Sequence, residues 1–101
     1  MSHKKKASSE NADFYITIAH NIAYYRRLAG YTQAMLAEII DISTPYMGAL
    51  ESTKNPKRCS IEVLFCLARA LNVEPYQLLE PLDEDRTHPI VKGRPRKENK
   101  E

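Results

Sequence analysis

The chain has 101 residues, 43% of them apolar, enough for one small core and one domain. Its formal net charge is only +2, and no apolar run approaches the roughly 20 residues of a membrane span, so no membrane is expected. No secretory apolar region follows Met1, which makes the cytoplasm the expected compartment, and Cys59 and Cys66 are read as a reduced pair.

Glycine is scarce and strand-like alternation is absent, so an all-α fold is expected. Residues 1–12 are polar, with the run Lys4-Lys5-Lys6, and read as a disordered basic arm. A first helix is predicted from about Ala12 or Asp13 to Ala29. Phe14, Ile18, Ile22 and Tyr25 form its apolar stripe, and Asn11 and Asp13 are competent caps. Gly30 suits the left-handed position that ends it.

Thr32 caps a second helix, about Gln33 to Ile40, with Leu36, Ala37 and Ile40 on one face. Asp41-Ile42-Ser43 interrupts the pattern. Ser43 then caps a third helix, about Thr44 to Ser52, with Pro45 in the first turn, where a missing N–H costs nothing. Met47 and Leu50 face inward. This pair is the sequence form of a helix-turn-helix, whose second helix enters the DNA major groove. A fourth helix is predicted from the Ser60 cap to about Leu71, with Ile61, Leu64, Leu67, Ala68 and Leu71 as its core stripe and Asn72 at its end. A short fifth helix follows Glu74-Pro75 through Leu79, with Leu78 and Leu79 closing the core.

Charge is unevenly spread. Residues 1–31 sum to +3, residues 32–58 to zero, residues 59–91 to −4 and residues 92–101 to +3. Basic ends suit phosphate, while the acidic stretch would face away from it. The predicted organisation is therefore a basic arm over 1–12, a helical domain over 13–80, and an acidic linker with a basic tail over 81–101.

The segments NIAYYRRLAGYTQAMLAEIIDIS, YMGALE and VLFCLARALNVEPYQLL resemble the Cro/XRE family of phage-repressor-like DNA-binding domains, from about Ile18 to Leu79. The resemblance implies a five-helix, lambda-repressor-like fold and a partner of double-stranded DNA. It also implies that Arg26 pairs with Glu51, tying the first helix to the third, and that Gln33 bonds the DNA backbone. Related domains often form homodimers through the C-terminal region. The chain departs from the family pattern in three places. Tyr31 stands where a core leucine is usual, Asp41 where glycine is usual, and the loop TKNPKRC is longer than typical.

Candidate DNA contacts are Ser43, Thr44, Pro45, Tyr46, Gly48, Ala49 and Ser52 on the third helix, and Lys54, Lys57 and Arg58 in the loop after it. Apart from Gln33, no Arg, Lys, Asn or Gln lies between Gln33 and Lys54, although these are the strong base readers. Three explanations are open: contacts to thymine methyls through Thr44, Pro45 and Ala49, readout of DNA shape with help from the arms, or loss of specific reading. Lys92-Gly93-Arg94-Pro95-Arg96-Lys97 resembles an AT-hook, in which Arg94 and Arg96 would lie along a narrow minor groove.

No catalytic pairing, phosphate loop or zinc spacing is present, so neither enzyme chemistry nor a cofactor is expected. The expected function is a sequence-specific transcriptional regulator, a repressor, binding a two-fold operator as a homodimer. The rival readings are an antitoxin-like or adaptor module with a protein partner and weak, non-specific DNA binding, or the DNA-targeting part of a modification system.

Overall fold

A computed structural model describes residues 10–82. Among them the chain forms four α-helices and no strand: α1 over Ala12–Ala29, α2 over Gln33–Ile40, α3 over Thr44–Leu50 and α4 over Ile61–Leu71. A 3₁₀ turn over Pro75–Leu78 stands where a fifth helix was expected. Its Pro75 opening and four-residue length leave no room for an α-helical ladder.

Local chemistry sets the boundaries. Three hydroxyls cap three helices: Thr32 Oγ1 accepts from Met35 N–H at 3.0 Å, Ser43 Oγ from Tyr46 N–H at 3.1 Å, and Ser60 Oγ from Val63 N–H at 3.1 Å. Each such cap contributes about 1 kcal/mol. Three helices end alike, with one left-handed residue: Gly30 (φ 85°), Asp41 (φ 63°) and Asn72 (φ 61°). The next N–H then reaches back to a carbonyl five residues earlier, Tyr31 to Arg26, Ile42 to Ala37 and Val73 to Ala68. Asp and Asn tolerate this conformation better than other side-chain-bearing residues.

Helix α3 ends at Leu50, two residues before the expected Ser52. Glu51 and Ser52 close it with tighter bonds to Gly48 and Ala49 carbonyls. Ser52 Oγ then accepts from Asn55 N–H at 3.1 Å and turns the chain into the basic loop. At the start of α1, Asn11 makes no side-chain cap; its carbonyl alone accepts, from Phe14 and Tyr15.

The core is one cluster. Ile18, Ile22 and Tyr25 of α1 meet Leu36 and Ala37 of α2, Met47 and Leu50 of α3, Leu64, Leu67, Ala68 and Leu71 of α4, and Leu78. Each large member contributes about 1.5–3 kcal/mol on burial. Helix α2 packs on α3 and α4, and the 3₁₀ turn packs on α1 and α4. Tyr31 is half-buried against this cluster.

Three residues assigned to the core are on the surface instead: Phe14, Ile61 and Leu79, 69%, 63% and 52% exposed. Phe14 and Ile61 lie one turn before Ile18 and Leu64, the first buried residues of their helices. With Leu79 they line a shallow groove of about 340 Å³. The stripe is right in direction but overruns the end of the packed layer. Cys59 and Cys66 are free thiols, both half-buried. None of the helices among the described residues is long and apolar enough to cross a membrane.

Candidate nucleic-acid interface

Helix α3 is held from below by a buried polar knot. Arg26 grips the Glu51 carboxylate with two donors, Nε to Oε2 at 2.6 Å and Nη2 to Oε1 at 3.0 Å. Its third donor, Nη1, reaches the Tyr31 carbonyl at 2.9 Å. The side chains are 11% and 5% exposed. Hydrogen bonding to the carboxylate raises the guanidinium pKa above its ordinary value, against the opposing effect of burial. The knot ties α1 to the end of α3, and the link to Tyr31 ties in the entry to α2.

Gln33 joins the same knot: its Nε2 donates to Glu51 Oε1 at 2.9 Å. The spacing of residues gave no sign of this bond, which depends on how α2 crosses α3. It commits one of the two amide protons. A Cβ built on Gly48 would lie 3.5 Å from Gln33 Oε1, so the amide oxygen sits directly over the middle of α3.

The rest of α3 divides into two faces. Met47 and Leu50 are buried. Ser43, Thr44 and Pro45 are exposed, and Gly48 and Ala49 half-buried. The Ser43 hydroxyl is occupied as a cap. Tyr46 is half-buried and packs against the core cluster. Ser52 is half-buried and spends its hydroxyl on the turn. Lys54, Lys57 and Arg58 are all exposed in the following loop. Lys4–Lys6, Arg94 and Arg96 lie outside the described residues.

Two functional supports escaped the sequence reading. Asn21 is fully buried, and its Nδ2 donates to the Leu78 carbonyl at 2.7 Å and the Glu80 carbonyl at 3.0 Å, fastening the end of the domain to α1. Its Oδ1 is buried with no partner. Gln77, also buried, accepts from Glu74 N–H at 2.9 Å and hydrogen-bonds Tyr25. Burial is the main cause that raises the Tyr25 pKa, and the Gln77 bond opposes it. The available signal was Asn21's place inside the Ile18–Tyr25 stripe. Among the described residues, no group of three His, Cys, Asp or Glu side chains is placed to hold a metal ion.

Two short helices, a left-handed turn at Asp41, an exposed α3 face and a basic loop beside it define a helix-turn-helix DNA-binding domain. A helix-turn-helix family model matches residues 22–78, more than half of the chain. The chain belongs to this family, the Cro/C1-type or XRE helix-turn-helix family of DNA-binding transcription regulators. It is similar to the crystal structure of a hypothetical transcription factor, NHTF, from Neisseria, with 29% identity and a TM-score of 0.63, covering 68% of this chain and 75% of that one. It is also similar to the clp gene regulator ClgR from C. glutamicum, with 26% identity and a TM-score of 0.60, covering 65% of this chain and 83% of that one. No curated protein matches it significantly.

Proposed function

We propose that the chain is a sequence-specific transcriptional repressor that binds a two-fold operator as a homodimer. The observation that carries this reading is the arrangement of α3. The Arg26–Glu51–Gln33 knot fixes it, its Thr44 and Pro45 end is exposed, and Lys54, Lys57 and Arg58 follow it in an exposed loop. In this reading α3 lies in the major groove, with Ser43, Thr44, Pro45, Gly48 and Ala49 toward the bases and Tyr46 and Ser52 at the margin. The free amide proton of Gln33 serves a backbone phosphate at the N-terminus of α2, where the helix dipole also favours an anion. The three loop cations serve flanking phosphates, and Arg94 and Arg96 the minor groove. The exposed groove of Phe14, Ile61 and Leu79 supports self-association.

The rival reading, an adaptor or antitoxin-like module, is favoured by one observation: α3 presents no Arg, Lys, Asn or Gln side chain. Footprinting on the DNA upstream of the chain's own gene, with sedimentation of the complex, separates the two. Repression by a dimer gives two protected half-sites about one helical turn apart and two chains per duplex. Diffuse protection at all sequences, with one chain per loaded site, refutes it.

A further inference from the structure

We infer that α3 reads its operator by apolar contact with pyrimidine 5-methyl groups, so that its preferred half-site presents thymines at the positions facing Pro45, Ala49 and the Thr44 methyl. This rests on the proposal that the chain is a sequence-specific DNA-binding regulator, and it names what that regulator recognises.

The composition and orientation of the exposed α3 face limit what it can recognise. A base pair in the major groove offers hydrogen-bond donors and acceptors, and, at thymine only, a methyl group. Hydrogen-bond readout needs a side chain with a free donor or acceptor set on the exposed face. Around α3 such groups are few, and most are partly committed to the protein. The Ser43 and Ser52 hydroxyl oxygens accept from the Tyr46 and Asn55 N–H groups, which fixes them at the two ends of α3, and the half-buried Tyr46 packs on the core. The Gln33 amide gives one proton to Glu51, which is itself locked by Arg26, and its other proton is the one assigned above to a backbone phosphate. Met47 and Leu50 point inward, so the 3.6-residue period sends Pro45, Gly48 and Ala49 to the opposite side. Pro45 offers a rigid ring and Ala49 a methyl, Gly48 between them leaves room for the Gln33 amide oxygen, and Thr44 adds a methyl beside its hydroxyl at the N-terminal edge. Apart from the Thr44 hydroxyl and the Gln33 amide oxygen, that face presents carbon, and the carbon on a base edge is the thymine methyl.

The test begins with selection of duplexes from a random library by the full chain, followed by affinity measurement on the selected site with single-base replacements. Deoxyuridine removes only the methyl. 5-Methylcytosine in a C·G pair restores the methyl while changing the hydrogen-bonding pattern. Removing one contacted methyl is expected to weaken binding about fourfold, the equivalent of one buried carbon. A 5-methylcytosine pair is expected to bind better than an unmethylated cytosine pair by a similar factor. Pro45→Ala and Thr44→Ser, both at exposed positions, are expected to shrink the thymine-to-uracil ratio while leaving the salt dependence unchanged. A selected site on which uracil binds as well as thymine at every position overturns the inference and leaves the regulator standing. Selection that enriches no sequence overturns both.

Discussion

Replacing Arg26 with methionine leaves the Glu51 carboxylate, 5% exposed, with Gln33 as its single remaining side-chain donor. Two charge-assisted bonds at 2.6 and 3.0 Å are lost, and the Tyr31 carbonyl loses its donor at 2.9 Å. Stranding one charge of a buried pair costs roughly 3–5 kcal/mol, a large part of the 5–15 kcal/mol that holds a typical domain together. For a domain of this size each kcal/mol shifts the melting temperature by about 4–8 °C, so a fall of roughly 12–40 °C is expected. Urea denaturation followed by circular dichroism at 222 nm measures the loss directly. The double variant Arg26→Met with Glu51→Met removes both charges. It is expected to be more stable than the single Arg26→Met variant, because no buried carboxylate is left unpaired. A single-variant cost under about 1 kcal/mol, or a double variant whose cost equals the sum of the two singles, would refute the claim that this pair anchors α3.

Four more outcomes follow from particular side chains. Asn21→Leu removes the donor shared by the Leu78 and Glu80 carbonyls and should cost roughly 1–3 kcal/mol in urea titration; a neutral result would deny it a fastening role. Alanine at Lys54, Lys57 and Arg58 should each lower the slope of log affinity against log salt by about 0.9, with little change in thymine preference; unchanged slopes would remove the loop from the interface. Burial pushes the Cys59 thiol up to about 11 from 9.0, so at pH 8 its thiolate should be roughly a hundredfold scarcer than that of an ordinary thiol. Iodoacetamide labelling of a Cys66→Ser variant measures this. Because the unfolded thiol ionises first, the Cys59 contribution to stability is full below about pH 9 and is lost as pH rises from there through 11. Cys59→Ser should flatten that alkaline decline.

What the sequence made legible was local. Thr32, Ser43 and Ser60 announce helix starts because a cap needs only its own hydroxyl and the N–H three residues on. Gly30, Asp41 and Asn72 announce helix ends because few residues accept a positive φ. The long-range supports were hidden. Asn21 bonds to carbonyls 57 and 59 residues away, and nothing near residue 21 specifies them. The Gln33–Glu51 bond depends on the crossing of α2 and α3, so an amide expected to face DNA alone turns out to be half committed to the protein. Phe14, Ile61 and Leu79 show a different limit. Periodicity says which side of a helix is apolar, but not where the neighbouring helix stops covering it. The candidate contacts Arg94 and Arg96 fall outside the described residues, so their reading rests on the motif alone.

The most direct test of sequence-specific regulation is fluorescence anisotropy with two labelled duplexes, the DNA upstream of the chain's own gene and a scrambled version, across a salt series. A preference of about a thousandfold or more that persists at physiological salt is the expected result. Equal binding to both duplexes, falling steeply with salt, would mean that only the basic loop and tails touch DNA and would contradict α3 as a reader of sequence.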